Sequence, residues 1–269
     1  MAERDFFPPS FVDRTISFKS PDSRWRLTRK LREKNSQLSH SEARRWPGKA
    51  SALYGTFLCT NCDDASHEAV MRIVMQIPFA GSEFESVQEK AKQATEALPR
   101  EARDMLKALE LLRQHTCRSG PRLLAVNQQT QSRDDFVPGG FFMCLLVEKL
   151  PGKQLDRSFW DFECAKRNQI RASFKSAWIE CLRVTRYYPT SGLRKIFWDE
   201  ATNSLSFYDF LTGSILDHGE ERVWKDLNWI YWGLAQKPIR YGSFPPREGR
   251  LGEQSSAPAE ARLKTDDWG

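Results

Sequence analysis

KIFWDEATNSLSFYDF, residues 195–210, holds two aromatic-rich runs, KIFWDE (195–200) and LSFYDF (205–210), on either side of a polar turn. Asn203 sits in that turn and tolerates the left-handed backbone that a tight reversal needs, so the stretch reads as a β-hairpin. The second run ends on Asp209. A carboxylate at a strand end either caps the following turn or faces a site.

Outward from the hairpin, the preceding 158–186 repeats Ile170, Phe174, Ala177, Trp178, Cys181 and Leu182 at helical spacing, which predicts a central, buried helix. Residues 187–195 read as a loop. FFMCLLVEKL (141–150) is the strongest strand of the chain, stopped by Pro151-Gly152, and RLLAV (122–126) is a shorter one. Between about 84 and 115 the pattern is helical, kinked at Leu98-Pro99, with Met105, Leu106, Leu109 and Leu112 as its apolar stripe. SALYGTFLCT (51–60) and EAVMRIVMQI (68–77) form a strand pair, the second apolar enough to be buried on both faces. A last helix near 220–235 carries Trp224, Leu227, Trp229, Ile230 and Trp232, and that tryptophan cluster reads as core. Strands grouped before one helix, followed by a mostly helical half, give an α+β class in two parts, with 148–152 as the connector.

The two ends read differently. Residues 1–50 mix Pro, Ser and charge and are expected as an irregular basic arm, with a short helix near 25–34 and with Phe6, Phe7, Phe11 and Trp25 available for packing. Eleven Lys or Arg fall between Arg14 and Lys49, a charge run that suits a solvated face or, as a lesser reading, nucleic acid through residues 14–49. Residues 237–269, rich in Pro, Gly, Ser and charge, are expected as a disordered tail. The 269 residues carry a net charge of +6, and no run approaches a membrane span. MAERDFFPPSF at the start lacks the apolar region of a signal peptide, so an intracellular place, cytoplasmic or nuclear, is expected. Six scattered cysteines suit reduced thiols rather than a disulfide framework.

AVMRI (69–73), CRSGPRLLA (117–125), VPGGFFMCLLVEKLPG (137–152), the Phe159-Trp160, Arg167, Ile170-Arg171, Ser173-Phe174, Ala177, Glu180 pattern and the 195–210 hairpin resemble, in order and spacing, the protein-kinase-like superfamily. The nearest likeness is to the aminoglycoside-phosphotransferase-like proteins widespread in fungi. It implies a two-lobed fold: a small antiparallel-sheet N-lobe over 51–150 and a reduced, mostly helical C-lobe over 151–236. In that superfamily a strand lysine holds nucleotide phosphates and pairs with a helix glutamate. A loop H-x-D-x-x-x-x-N supplies the base and a metal ligand, and an Asp-Phe-Gly aspartate binds magnesium.

Set against those parts, the resemblance puts Arg72 at the strand lysine, with charge kept but shape changed. The helix glutamate column falls on Met105, with Glu101 or Asp104 as neighbours able to substitute. The catalytic loop falls on 188–195, with Tyr188 for the histidine, Thr190 for the aspartate and Lys195 for the asparagine. Threonine cannot take a proton from a hydroxyl nucleophile near neutral pH, and a lysine repels Mg²⁺. Asp209 is the surviving metal ligand, and Arg72, Glu101 and Asp209 are the residues left to hold a nucleotide. Gly48 and Gly55 are the only glycines before AVMRI, so a glycine-rich phosphate cradle is missing.

Two readings follow from the resemblance. One is a degraded kinase, a pseudokinase-type module that binds or scaffolds a protein partner. The alternative is an atypical ATP- and Mg²⁺-dependent phosphotransferase using Asp209 and some other acid. Cys59-x-x-Cys62 near His67 has zinc-knuckle spacing but no second pair, and the isolated histidines His40, His67, His115 and His218 support no hydrolase triad.

Overall fold

The computed structural model describes residues 6–216 and 222–236. Its largest element is a six-stranded antiparallel sheet built from β1 (Thr15–Lys19), β2 (Asp22–Ser36), β3 (Ala52–Asn61), β4 (Glu68–Gln76), β5 (Leu123–Thr130) and β6 (Phe141–Glu148), in the order β1-β2-β3-β4-β6-β5. β4 and β6 are neighbouring interior strands, buried on both faces, as their continuous apolar runs require. Two short helices, α1 (His40–Arg45) and α2 (Val87–Ala91), decorate the connections. The longer α3 (Arg100–Gln114) packs on one sheet face through Ala102, Met105, Ala108, Leu109 and Leu112. The expected kink at Leu98-Pro99 is a full break. Pro99 has an extended backbone and caps α3, so α2 and α3 are separate helices.

The expectation of an irregular arm over residues 1–50, with a helix near 25–34, is corrected. Residues Thr15–Ser36 are two strands of the main sheet, and β2 is the longest strand in the protein. Leu27 faces Cys59 while Arg29 faces Leu58, and Lys30 faces Phe57 while Arg32 faces Thr56, so Thr28 and Leu31 are each an extra, bulged residue. Every bulge shifts the strand by one and turns over the side chains beyond it. Arg26, Arg29 and Arg32 therefore share a face at intervals of three. That interval imitates a helix and misleads any reading by periodicity. Phe6, Phe7, Phe11, Trp25 and Leu27 are buried on the opposite face with Phe57, Met71 and Phe142. Gly55 allows this, because a Cβ there would lie 2.5 Å from the Phe7 ring and 2.6 Å from the Phe57 ring.

Beyond β6 come β7 (Lys153–Gln154), the 22-residue helix α4 (Cys164–Thr185) and β8 (Tyr187–Tyr188). The hairpin read from the sequence follows as β9 (Ile196–Asp199) and β10 (Ser204–Phe207), and Asn203 at its turn is left-handed. β11 (Ser214–Ile215) pairs with β8, and α5 (Leu227–Tyr231) is a short helix. The tryptophan cluster packs on α4 around Phe174 and Trp178, with Trp232 buried. The tail expected at 237–269 lies outside the described residues.

α4 buries Ile170, Phe174, Trp178 and Cys181 in the same apolar cluster as Met143, Leu145 and Val147 of β6. The core thus runs unbroken across the boundary expected at residue 150. Gly152 closes the connector onto the hairpin with φ +79°, and a Cβ there would lie 2.2 Å from the Trp198 carbonyl oxygen. Only glycine meets both demands. β7 then pairs with β9, which fixes the hairpin against the end of the main sheet.

Candidate functional site

A cleft of about 520 Å³ opens where β2, β3, β4 and β6 meet the hairpin. Its apolar walls come from Leu31, Tyr54, Leu58, Val70, Val147, Leu150 and Phe197, among others. Charge around it is one-sided. Arg29, Arg32 and Lys34 reach it from β2, Arg72 from β4 and Lys149 from the connector, against the acids Glu148 and Asp209. The β2 bulges put the first three there: Arg29, Arg32 and Lys34 pair with Leu58, Thr56 and Tyr54, which line the same cleft.

Asp209 is the electrostatic centre. Its carboxylate is buried at 4% exposure and faces Arg32 Nη1 at 3.3 Å and Lys195 Nζ at 3.7 Å. It also accepts the Leu211 N–H at 3.0 Å and the Thr212 hydroxyl at 3.2 Å. Burial pushes its pKa up, but the Arg72 guanidinium, the Leu211 N–H, Lys195 and Arg32 together hold it below the ordinary aspartate value. Burial lowers the pKa of Lys195, and the Asp209 charge only partly offsets this. Arg72, 7% exposed, donates to the Tyr208 carbonyl oxygen. Its Nη1 lies 3.6 Å from Met105 Sδ, and its Nε–H is buried with no hydrogen-bond partner among the described residues.

The residues singled out in the sequence sort clearly. Arg72, Lys195 and Asp209 come together at one end of the cleft. Thr190 joins them at its margin, exposed, with its hydroxyl 2.7 Å from that of Thr212 and in contact with the Lys195 ammonium. Tyr188 stands apart: its ring packs edge-on against Trp178 with Arg222 over it. Glu101 is corrected as a partner for Arg72. It is exposed on the first turn of α3 and lies outside the residues that line the cleft, while Met105, one turn on, meets the guanidinium. Asp104 pairs with Arg100 instead. The sequence reading of the site missed Arg29, Arg32 and Lys34, whose common face becomes visible only once the bulges are known.

Asp209, expected as a magnesium ligand, stands among cations and an N–H donor. Mg²⁺ needs oxygen ligands in near-octahedral array. Here one carboxylate oxygen already faces two cations and the other an N–H. Among the described residues no group of three His, Cys, Asp or Glu stands ready for any metal. The Cys59-x-x-Cys62 pair separates likewise: Cys59 is buried with its thiol on the Ala69 carbonyl oxygen, and Cys62 is exposed. Among the described residues no helix is long and apolar enough to cross a membrane.

No protein-family model and no curated protein matches the sequence. Among solved structures the chain is similar to the PK-1 kinase of Cydia pomonella granulovirus, at 13% identity and a TM-score of 0.42, over 75% of this chain. The chain spans 55% of that kinase's length. What is established is a mixed α+β protein with an antiparallel sheet and a cation-rich cleft beside it.

Proposed function

We propose that the chain carries a protein-kinase-like fold whose transfer chemistry has been lost, and that it works as a pseudokinase-type binding or scaffolding module. The order of parts around the cleft supports the first half. Arg72 on β4 meets Met105 of α3, the β8–β9 loop brings Thr190 and Lys195 together, and Asp209 follows β10 beside Lys195, an order that matches the parts of a kinase-like site. One observation carries the second half. By the resemblance Lys195 corresponds to the metal-binding asparagine, and its ammonium lies 3.7 Å from the Asp209 carboxylate. Thr190, at the base position, meets a hydroxyl and an ammonium and has neither the basicity nor a neighbour to activate a nucleophile. Removal of a general base alone costs about 10²–10⁴ in rate.

Val223, just before α5, and Leu227 and Tyr231 on it are exposed apolar side chains, and these are proposed to meet a protein partner. The test of lost chemistry is phosphate release and transfer from ATP with Mg²⁺ over a panel of hydroxyl and amine acceptors. The expected rate is that of the buffer, unchanged in Asp209→Ala. Turnover that Asp209→Ala abolishes would establish the alternative, an atypical phosphotransferase.

A further inference from the structure

The cations gathered around Asp209 suit an anionic ligand. We infer that the cleft binds a small organic phosphate in metal-free form, with the Lys195 ammonium and the Arg32 and Arg72 guanidiniums in the place of the divalent ion. This rests on the reading of the chain as kinase-like and catalytically silent, and adds the ligand class and the way it is held.

Three observations carry it. First, the charge is in excess: Arg29, Arg32, Lys34 and Arg72 line the cleft against Glu148 and Asp209, Lys149 is paired with Glu68, and Lys195 adds a further cation beside Asp209. Asp209 therefore neutralises only part of what surrounds it. It anchors the cations, and the remainder faces the opening. Second, Arg72 is more than nine-tenths buried and lines the cleft, yet its Nε–H lacks a protein acceptor. A guanidinium in the wall of a cleft matches phosphate oxygens better than any other acceptor. Third, the walls beyond the cations are apolar, from Tyr54, Val70, Val147 and Leu150, so an anion with a flat apolar body gains more than a bare one.

The consequence is a sign opposite to that of a working phosphotransferase. Mg²⁺ on a diphosphate cancels two of its charges and leaves it less attracted to a cationic site. The cation it would bring along meets Lys195 and Arg32 as like charges. The metal thus weakens binding instead of enabling it.

The test is isothermal calorimetry of the full chain with ADP, once in EDTA and once in excess Mg²⁺, with adenosine and inorganic pyrophosphate as comparison probes. ADP is expected to bind in EDTA, about tenfold more weakly in Mg²⁺, and more tightly than either probe. Lys195→Met is expected to lower ADP affinity with no rescue by Mg²⁺. Circular dichroism is recorded on this variant so that loss of fold is not taken for loss of binding. No ADP binding in EDTA, or binding that requires Mg²⁺, overturns the inference while leaving the loss of catalysis intact. Pyrophosphate binding as tightly as ADP overturns the organic part. Mg²⁺-dependent phosphate release overturns the underlying reading itself, so the two failures are told apart.

Discussion

If Asp209 anchors the cations, its ion-pair partners Arg32 and Lys195 should differ in how much they depend on it, and in an order that distance alone gets wrong. Arg32 is nearer, at 3.3 Å, but its side chain is 46% exposed; Lys195 is farther, at 3.7 Å, but only 19% exposed. Unit charges at the Lys195 distance attract by about 4 kcal/mol at an effective dielectric near 20, whereas a pair open to water keeps only about 1 kcal/mol. Desolvation takes back part of the first figure, which leaves a coupling of about 2 kcal/mol for Lys195–Asp209 and less than about 1 kcal/mol for Arg32–Asp209. Two double-mutant cycles measure this, Lys195→Met with Asp209→Asn and Arg32→Gln with Asp209→Asn, by urea unfolding at pH 7. Stronger coupling to Arg32 than to Lys195, or none above about 0.5 kcal/mol in either cycle, would refute the account of the site.

The pH dependence of the same carboxylate has a definite sign. The folded pKa of Asp209 lies below its ordinary value, so its contribution is complete above the unfolded pKa of 3.8 and is lost as pH falls through the lower folded value. The stability difference between the wild-type chain and Asp209→Asn should stay flat from pH 8 to 5 and shrink only in strong acid. Gly55→Ala forces a methyl group toward Phe7 and Phe57 and should cost about 1–3 kcal/mol, with part of the loss restored by Phe7→Leu in chemical denaturation. Thiol titration of the native protein at pH 8 should find Cys62 and Cys164 at once. Cys59, Cys117, Cys144 and Cys181 should react only after unfolding, since they are buried and burial pushes Cys59 and Cys181 up to about 12.

How much of this the sequence disclosed depended on whether local patterns were obeyed. The hairpin at 195–210, the apolar runs of β4 and β6, and the stripe of α3 are plain local patterns, and the structure has these elements where the patterns put them. That Arg72 and Asp209 face one cleft was foreseeable only through the order of elements, since 136 residues separate Arg72 from Tyr208, whose carbonyl it holds. β2 defeated the reading because two bulged residues turn a period of two into intervals of three, and because its outward face is basic where an amphipathic strand would be merely polar. The resemblance put its helix-glutamate column on Met105, with Glu101 only as a neighbour able to substitute, and Glu101 is exposed one turn earlier. α3 presents Met105 to the guanidinium, and a thioether beside a cation is not a pattern that charge pairing would suggest.

The bulges at Thr28 and Leu31 make the cleft a matter of counting as much as of chemistry. A substitution at Arg29, Arg32 or Lys34 alters one tooth of the comb and leaves its neighbours in place. Loss or gain of one residue between Leu27 and Arg32 would instead rotate a whole set of teeth, either into the phenylalanine-packed layer or away from it. Length in this short stretch should therefore vary far less among descendants of this chain than the identity of its side chains.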